Sequence, residues 1–142
     1  MIEIRRSALV GYSAAQMFDL VNDVEAYPKR FAWCAAAKIL EAQSDMQVVR
    51  LDLKFAGLRQ SFTTRNRAER PLRLHMQLVR GPFSHLEGLW AFQPLGEDGC
   101  KVSLALDFEY TGLGASALRL GFQALANRMV DDFSKAARQV YG

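Results

Sequence analysis

Residues 49–67, VRLDLKFAGLRQSFTTRNR, decide the fold class of this 142-residue chain. Up to Phe55, apolar side chains alternate with charged ones, and a period of two predicts a β-strand with one dry face and one wet face. The pair Ala56-Gly57 predicts a reversal of the chain. The alternation then resumes, with Phe62 and Thr64 on the inward side. The stretch therefore predicts an antiparallel hairpin.

The same alternation extends on both sides of this hairpin, over residues 38–110. Turn signals interrupt it at Arg70-Pro71, at Gly81-Pro82 and at residues 96–99. Short connections between alternating strands are typical of an antiparallel meander, here of about six strands. Residues 2–10 also alternate and predict one more strand before the meander.

Helical patterns flank the meander. Ser13 and Gln16 form a predicted capping box, and that helix must end by Tyr27 because Pro28 disfavours the α conformation in the residue before it. Residues 29–37 are predicted to be irregular. Residues 113–142 predict one long helix of about 24 residues, since apolar side chains recur at helical spacing. This stripe consists of Leu118, Phe122, Leu125, Met129, Phe133 and Val140.

These elements predict an α+β fold in a single domain, residues 1–142, with a curved antiparallel sheet wrapped around the C-terminal helix. A bent sheet and a straight helix diverge toward one end, so we expect an apolar pocket between them.

Composition excludes several classes of protein. Hydrophobic residues are 50% and charged residues 23% of the chain, which excludes a disordered protein, and the net charge is 18 − 15 = +3. Cys34 and Cys100 lie far apart, which argues against a disulfide framework or a zinc knuckle. With no signal-peptide core and no long apolar stretch, we expect a soluble protein, either free in the cytoplasm or peripheral to the inner membrane.

Several ordered motifs resemble one known family. They are LVNDVEAYP at residues 20–28, Cys34, FTTRN at 62–66, GPF at 81–83, G-x-W-x-F-x-P at 88–94 and LDFE at 106–109. Together they are similar to the START-like, or helix-grip (START/SRPBCC-like), proteins. That family includes the mitochondrial coenzyme Q-binding proteins, the bacterial ribosome association toxin RatA and polyketide cyclase/dehydrase proteins.

The resemblance implies a β-α-α-β-β-β-β-β-β-α chain with an apolar cavity. It also implies either a polyprenyl quinone ligand or a ribosomal partner. Our leading hypothesis is a non-enzymatic protein that binds a ubiquinone-type lipid. The alternatives are a RatA-like toxin that binds the large ribosomal subunit and hinders subunit association, and a small cyclase-type enzyme. The segment from Lys29 to Cys34 departs from the family's common Tyr-Pro-x-Phe-x-Pro-x-Cys pattern, with the phenylalanine displaced by one.

The candidate cavity residues are the inward positions of the strands, the apolar face of the last helix and the aromatic loop before Cys34. A quinone head group would lie toward that loop, with its tail along the helix. The set is Phe31, Trp33, Phe55, Gln60, Phe62, Thr64, Met76, Leu78, Trp90, Phe92, Phe108, Phe122, Leu125 and Met129. Gln60 and Thr64 are the polar members, able to orient a carbonyl or hydroxyl group.

Basic residues collect on the outward positions of three adjacent predicted strands, opposed there by Asp52. They are Arg50, Lys54, Arg59, Arg65, Arg67 and Arg73. Such a face suits ribosomal RNA or an anionic membrane surface, and it equally suits a solvated sheet. We expect no DNA partner.

No motif predicts catalysis, a required cofactor or a metal site. Gly112-x-Gly114 follows a strand and opens a helix, but too little chain remains for the second parallel strand of a dinucleotide-binding unit. His75 and His85 lack further ligands at metal-binding spacing. Cys34 is either a reactive thiol or a small buried hydrophobe.

Overall fold

Seven antiparallel strands form one curved sheet in the order β1-β7-β6-β5-β4-β3-β2. The computed structural model describes all 142 residues. The strands are β1 (Ile2–Val10), β2 (Cys34–Gln43), β3 (Met46–Phe55), β4 (Leu58–Glu69), β5 (Arg73–Arg80), β6 (Phe83–Pro94) and β7 (Cys100–Tyr110). The helices are α1 (Ala14–Asn22), α2 (Tyr27–Arg30) and α3 (Ala115–Tyr141). The α+β helix-grip prediction is confirmed.

The hairpin predicted first from the sequence is confirmed as β3 and β4. Leu51 pairs with Phe62 and Val49 with Thr64, so the inward sets of β3 and β4 lie side by side. At one edge of the sheet β1 pairs with β7, with Ile4 opposite Leu106. The long helix α3 lies across the dry face, where Phe122, Leu125 and Phe133 are buried, as predicted.

The ends of α3 have clear causes. Gly114 adopts a left-handed conformation (φ 80°) immediately before the helix, so α3 begins at Ala115 and not at Leu113. At the other end, Val140 is 44% exposed, and its place in the buried stripe is wrong. The last turn instead packs through Tyr141, whose hydroxyl donates to the carbonyl of Gln16 at 2.8 Å.

The segment before β2 is more regular than predicted. Lys29 and Arg30 lie in α2, because Pro28 occupies its first turn, where proline needs no amide donor. The strand β2 begins at Cys34, four residues earlier than the alternation indicated. Its pairing with β3 shifts register between Cys34 and Ala36, and the run of alanines hides the alternation. The capping box of α1 is confirmed, with Gln16 N donating to Ser13 Oγ at 3.1 Å.

Candidate ligand cavity and basic surface

A small apolar cavity lies between the sheet, the segment of residues 24–33 and α3. Seventeen residues line it, and fifteen of them are apolar. The centre of a water-sized sphere can move within about 60 Å³ of this cavity. Since one water needs about 10–15 Å³ of such space, the cavity has room for about four to six groups of that size.

The two polar lining residues form a pair on β4. The Thr64 hydroxyl donates to Oδ1 of Asn66 at 2.7 Å, and both side chains are buried. This bond uses the amide oxygen of Asn66, and the Asn66 amide nitrogen takes no part in it. The pair gives the apolar wall one polar spot, of the kind that orients a bound carbonyl.

Half of the predicted cavity residues line this cavity. They are Trp33, Phe62, Thr64, Met76, Trp90, Phe122 and Met129. The structure places the other seven elsewhere. Phe92, Phe108 and Leu125 pack within the solid core, and Leu78 is half-buried near Gly81. Phe31 and Phe55 line a separate surface cleft, and Gln60 accepts a hydrogen bond from the Tyr110 hydroxyl at 2.8 Å.

Sequence reasoning missed ten lining residues. They are Val24, Tyr27, Val49, Leu51, Asn66, Leu74, Leu86, Leu104, Leu106 and Phe133. Most of these share the inward positions of the strands, so the alternation alone contained the signal. Val24 lies in the short 3-10 turn after α1 and Tyr27 is the first residue of α2, and no periodicity in the sequence points to them.

Trp33 closes the cavity toward the surface. Its ring stacks on Phe31 at a centroid distance of 4.7 Å, and its Nε1 donates to Oδ2 of Asp132 on α3 at 3.1 Å. Trp33 belongs both to the cavity wall and to an open cleft on the outside of the molecule. A ligand entering from this side would have to displace the indole ring.

The open cleft is strongly basic. It lies where the loop of Phe31, the β3–β4 turn and α3 meet, and it has a volume of about 370 Å³. Four cations line it against one acid, and we call this site the basic cleft. Its charged residues are Arg30, Lys54, Arg128, Lys135 and Asp132.

The predicted basic residues do share the outer face of β3 to β5, and we call this surface the basic face. Lys54 lies opposite Arg59, and Arg67 opposite His75. Four of the six make no ion pair: Lys54, Arg59, Arg65 and Arg67.

Acids neutralise the other two members of the basic face. Arg50 pairs with Asp52 at 3.1 Å, and Arg73 pairs with Glu69 at 2.8 Å. A hydrogen bond from Ser61, together with Arg50, holds the pKa of Asp52 below its ordinary value. Glu69 is therefore a second opposing acid, which corrects the prediction that Asp52 alone opposes the basic residues.

The cysteine and histidine side chains sit in ordinary structural environments. Cys34 is buried, and burial raises the pKa of its thiol to about 11, so it remains protonated at neutral pH. This favours the small buried hydrophobe over the reactive thiol. His75 contacts Glu87 at 2.8 Å, and no group of three or more His, Cys, Asp or Glu side chains is arranged to hold a metal ion. None of the helices combines the length and apolar character needed to cross a membrane.

The profile of one protein family, described as "Polyketide cyclase / dehydrase and lipid transport", matches residues 10–134. The chain belongs to this family. The family description covers enzymes as well as lipid carriers, so membership alone leaves the activity open.

Two relatives of this chain have different names. A ribosome association toxin RatA from Pseudomonas aeruginosa is 44% identical over 98% of this chain and 97% of its own length. A mitochondrial coenzyme Q-binding protein homolog from Xenopus laevis is 29% identical over 99% of this chain and 60% of its own length. One relative is thus named as a toxin and the other as a binding protein.

Solved structures of other proteins have the same fold as this chain. The Zhui aromatase/cyclase of a Streptomyces species has a TM-score of 0.85, with 19% identity over 97% of this chain and 94% of its own. A START superfamily protein from Mycobacterium smegmatis has a TM-score of 0.76, with 23% identity over 94% and 92%. At these identities the likeness establishes the fold alone.

Proposed function

We propose that this protein associates with the ribosome through the basic face and catalyses no reaction. The observation that carries the proposal is the set of unpaired cations on β3 and β4, which includes Arg59, Arg65 and Arg67. Ribosomal RNA presents closely spaced phosphates, which such cations bind irrespective of base sequence. The name of the P. aeruginosa relative supports the same partner.

Within this proposal the contact lies on the large ribosomal subunit, and the bound protein hinders the joining of the two subunits. Purified protein is mixed with dissociated subunits, the magnesium concentration is raised, and the products are separated on a sucrose gradient. We expect the joined-ribosome peak to fall and the protein to migrate with the large subunit. Normal joining in the presence of excess protein would contradict the proposed effect.

The cavity supports the absence of catalysis. Its lining contains no carboxylate, histidine or cysteine to act as a general acid or base near neutral pH. Tyr27 is the one titratable lining residue; its hydroxyl donates to the carbonyl of Val21, and burial raises its pKa far above the ordinary value. The cavity can therefore hold an apolar group but offers no evident proton-transfer pair.

A second candidate function is the binding of a ubiquinone-type lipid in this cavity. It is favoured by the apolar wall with its Thr64–Asn66 pair and by the name of the X. laevis relative. At about 60 Å³ the cavity has room for a small apolar group. A quinone ring with a prenyl tail requires movement of lining side chains such as Met76 and Met129.

Lipid binding has its own test. Freshly purified protein is analysed by native mass spectrometry and solvent extraction, and a ubiquinone with one isoprene unit is then added. Trp33 and Trp90 line the cavity, so a bound quinone should quench tryptophan fluorescence. If no lipid co-purifies and the added quinone changes neither fluorescence nor melting temperature, this candidate function is wrong.

A further inference from the structure

The basic cleft is not part of the basic face, although Lys54 contributes to both. Its other cations come from different elements: Arg30 from α2, and Arg128 and Lys135 from α3. Residues distant in sequence therefore converge on one recess. No periodic pattern in the sequence brings these side chains together.

The charges in the basic cleft are poorly balanced. Its one acid, Asp132, already accepts from Trp33 Nε1 and lies 3.6 Å from Arg128. Lys54 and Lys135 make no ion pair. Arg30 and Arg128 are paired with Asp23 and Asp132, so the uncompensated positive charge in this recess is that of Lys54 and Lys135, and it creates a site for an anion.

Arg30 adds a second observation, because the hydrogen bonding of its buried guanidinium group is incomplete. Its Nη1 is buried and makes no hydrogen bond, although Oδ2 of Asp23 lies 3.2 Å away. A buried donor that makes no hydrogen bond is costly, and the charge of Asp23 offsets only part of that cost. An oxyanion in the basic cleft could relieve this cost by a small rotation of the guanidinium group.

We infer that the basic cleft binds a backbone phosphate of ribosomal RNA and anchors one end of the contact made by the basic face. This inference rests on the proposed function. Lys54 lies opposite Arg59, so the cations of the cleft continue into those of the basic face. The bound strand would pass from the outer face of the sheet, around the β3–β4 turn, to α3.

The cleft suits phosphate recognition without base recognition. Phe31 and Trp33 are 5% exposed and stack on each other, so their ring faces are unavailable to a base. The strongly exposed apolar side chains of the protein, such as Leu113 and Leu120, do not line the cleft. A lipid surface would need such an apolar anchor beside the cations, which favours RNA over a membrane.

The test compares two charge reversals on one exposed face of α3. Lys135→Glu changes the basic cleft, and Arg138→Glu makes the same charge change one turn away, outside the cleft. Binding to purified large ribosomal subunits is measured by sedimentation at several salt concentrations. We expect Lys135→Glu to weaken binding about tenfold and to lower the salt slope by about one, with little change for Arg138→Glu.

The outcomes separate the cleft from the proposed function. If Lys135→Glu and Arg138→Glu have equal effects while reversals on the basic face abolish binding, the cleft inference is wrong and the proposed function stands. If wild-type protein does not sediment with the subunits, the proposed function itself fails. Loss of binding to phosphatidylglycerol vesicles by Lys135→Glu, with ribosome binding intact, would identify a lipid phosphate and overturn the RNA assignment.

Discussion

At the scale of single residues, the interior polar groups are few and each has a defined role. The Thr64 hydroxyl donates to the amide oxygen of Asn66 in the cavity wall. Gln60 and Tyr110 form a second buried pair deeper in the core. The amide nitrogen of Gln60 has no acceptor, so the bond from Tyr110 is all that keeps this amide from being wholly unpaired.

Removal of the Tyr110 hydroxyl tests that second pair. We expect Tyr110→Phe to lower the free energy of unfolding by about 1–3 kcal/mol, because Gln60 then loses its remaining hydrogen bond. The measurement is urea denaturation followed by circular dichroism. Adding Gln60→Leu removes both partners and should recover part of the loss. A double variant no more stable than Tyr110→Phe would contradict this explanation.

Glu109 predicts a specific pH dependence of stability. Its Oε1 accepts from Arg119 at 2.6 Å and from the amide of Tyr110, which lowers the pKa from its ordinary 4.5 to about 2. A depressed pKa gives stability that is complete above about pH 4.5 and lost as the pH falls toward 2. Glu109→Gln should flatten the melting-temperature curve in this window. Glu97→Gln, in the exposed β6–β7 turn, should leave the curve unchanged.

At the scale of elements, alternation predicted the strands well because the sheet has one buried face and one wet face. Helical spacing predicted α3 because this helix also buries one face and exposes the other. The predictions failed where neither period applies, in the short helix α2 and in the alanine-rich start of β2.

The cavity and the cleft were harder to predict than the elements. Alternation identifies which strand positions point inward, but it does not distinguish a solid core from a void. Phe108 and Trp90 have the same inward pattern, yet Trp90 lines the cavity and Phe108 does not. The basic cleft depends on Arg30 and Lys135, which only the folded chain brings near each other.

Gly88 on β6 offers a way to reduce the cavity. A Cβ there would lie 2.5 Å from Cε of Met76 and 3.0 Å from Cδ1 of Leu106. Met76 lines the cavity and its end is flexible, so we expect the methyl group to move into the void in Gly88→Ala. The stability cost should stay below about 1 kcal/mol, and quenching by the short-chain ubiquinone should weaken. Ala91→Val, on the outer face of β6, is the control, and quenching equal to wild type in Gly88→Ala would contradict the proposed position of the ligand.

At the scale of the whole molecule, the two candidate functional sites lie on opposite sides of one sheet. The cavity lies on the concave side, under α3, and the basic face lies on the convex side. The sheet separates them, so changes to one should leave the other intact. A cavity variant such as Gly88→Ala should therefore keep ribosome binding.

The basic face is tested by paired charge reversal. Arg59 and Arg67 are exposed, so Arg59→Glu with Arg67→Glu should keep thermal stability within about 0.5 kcal/mol of wild type. Ribosome binding should fall by at least about tenfold, because two phosphate contacts become repulsive. Lys101→Glu with Arg138→Glu makes the same change in net charge away from the basic face. Equal losses in the two double variants would indicate a general charge effect and no specific surface.

The most direct measurement is co-sedimentation of the wild-type protein with purified large ribosomal subunits across a series of salt concentrations. The account predicts binding at low salt, with the logarithm of the association constant falling linearly against the logarithm of salt. The slope should be about −4, the value for four phosphate contacts on the basic face and one in the basic cleft at roughly 0.7–0.9 each. Absence of binding at low salt, or binding that does not change with salt, would contradict ribosome association through the basic face.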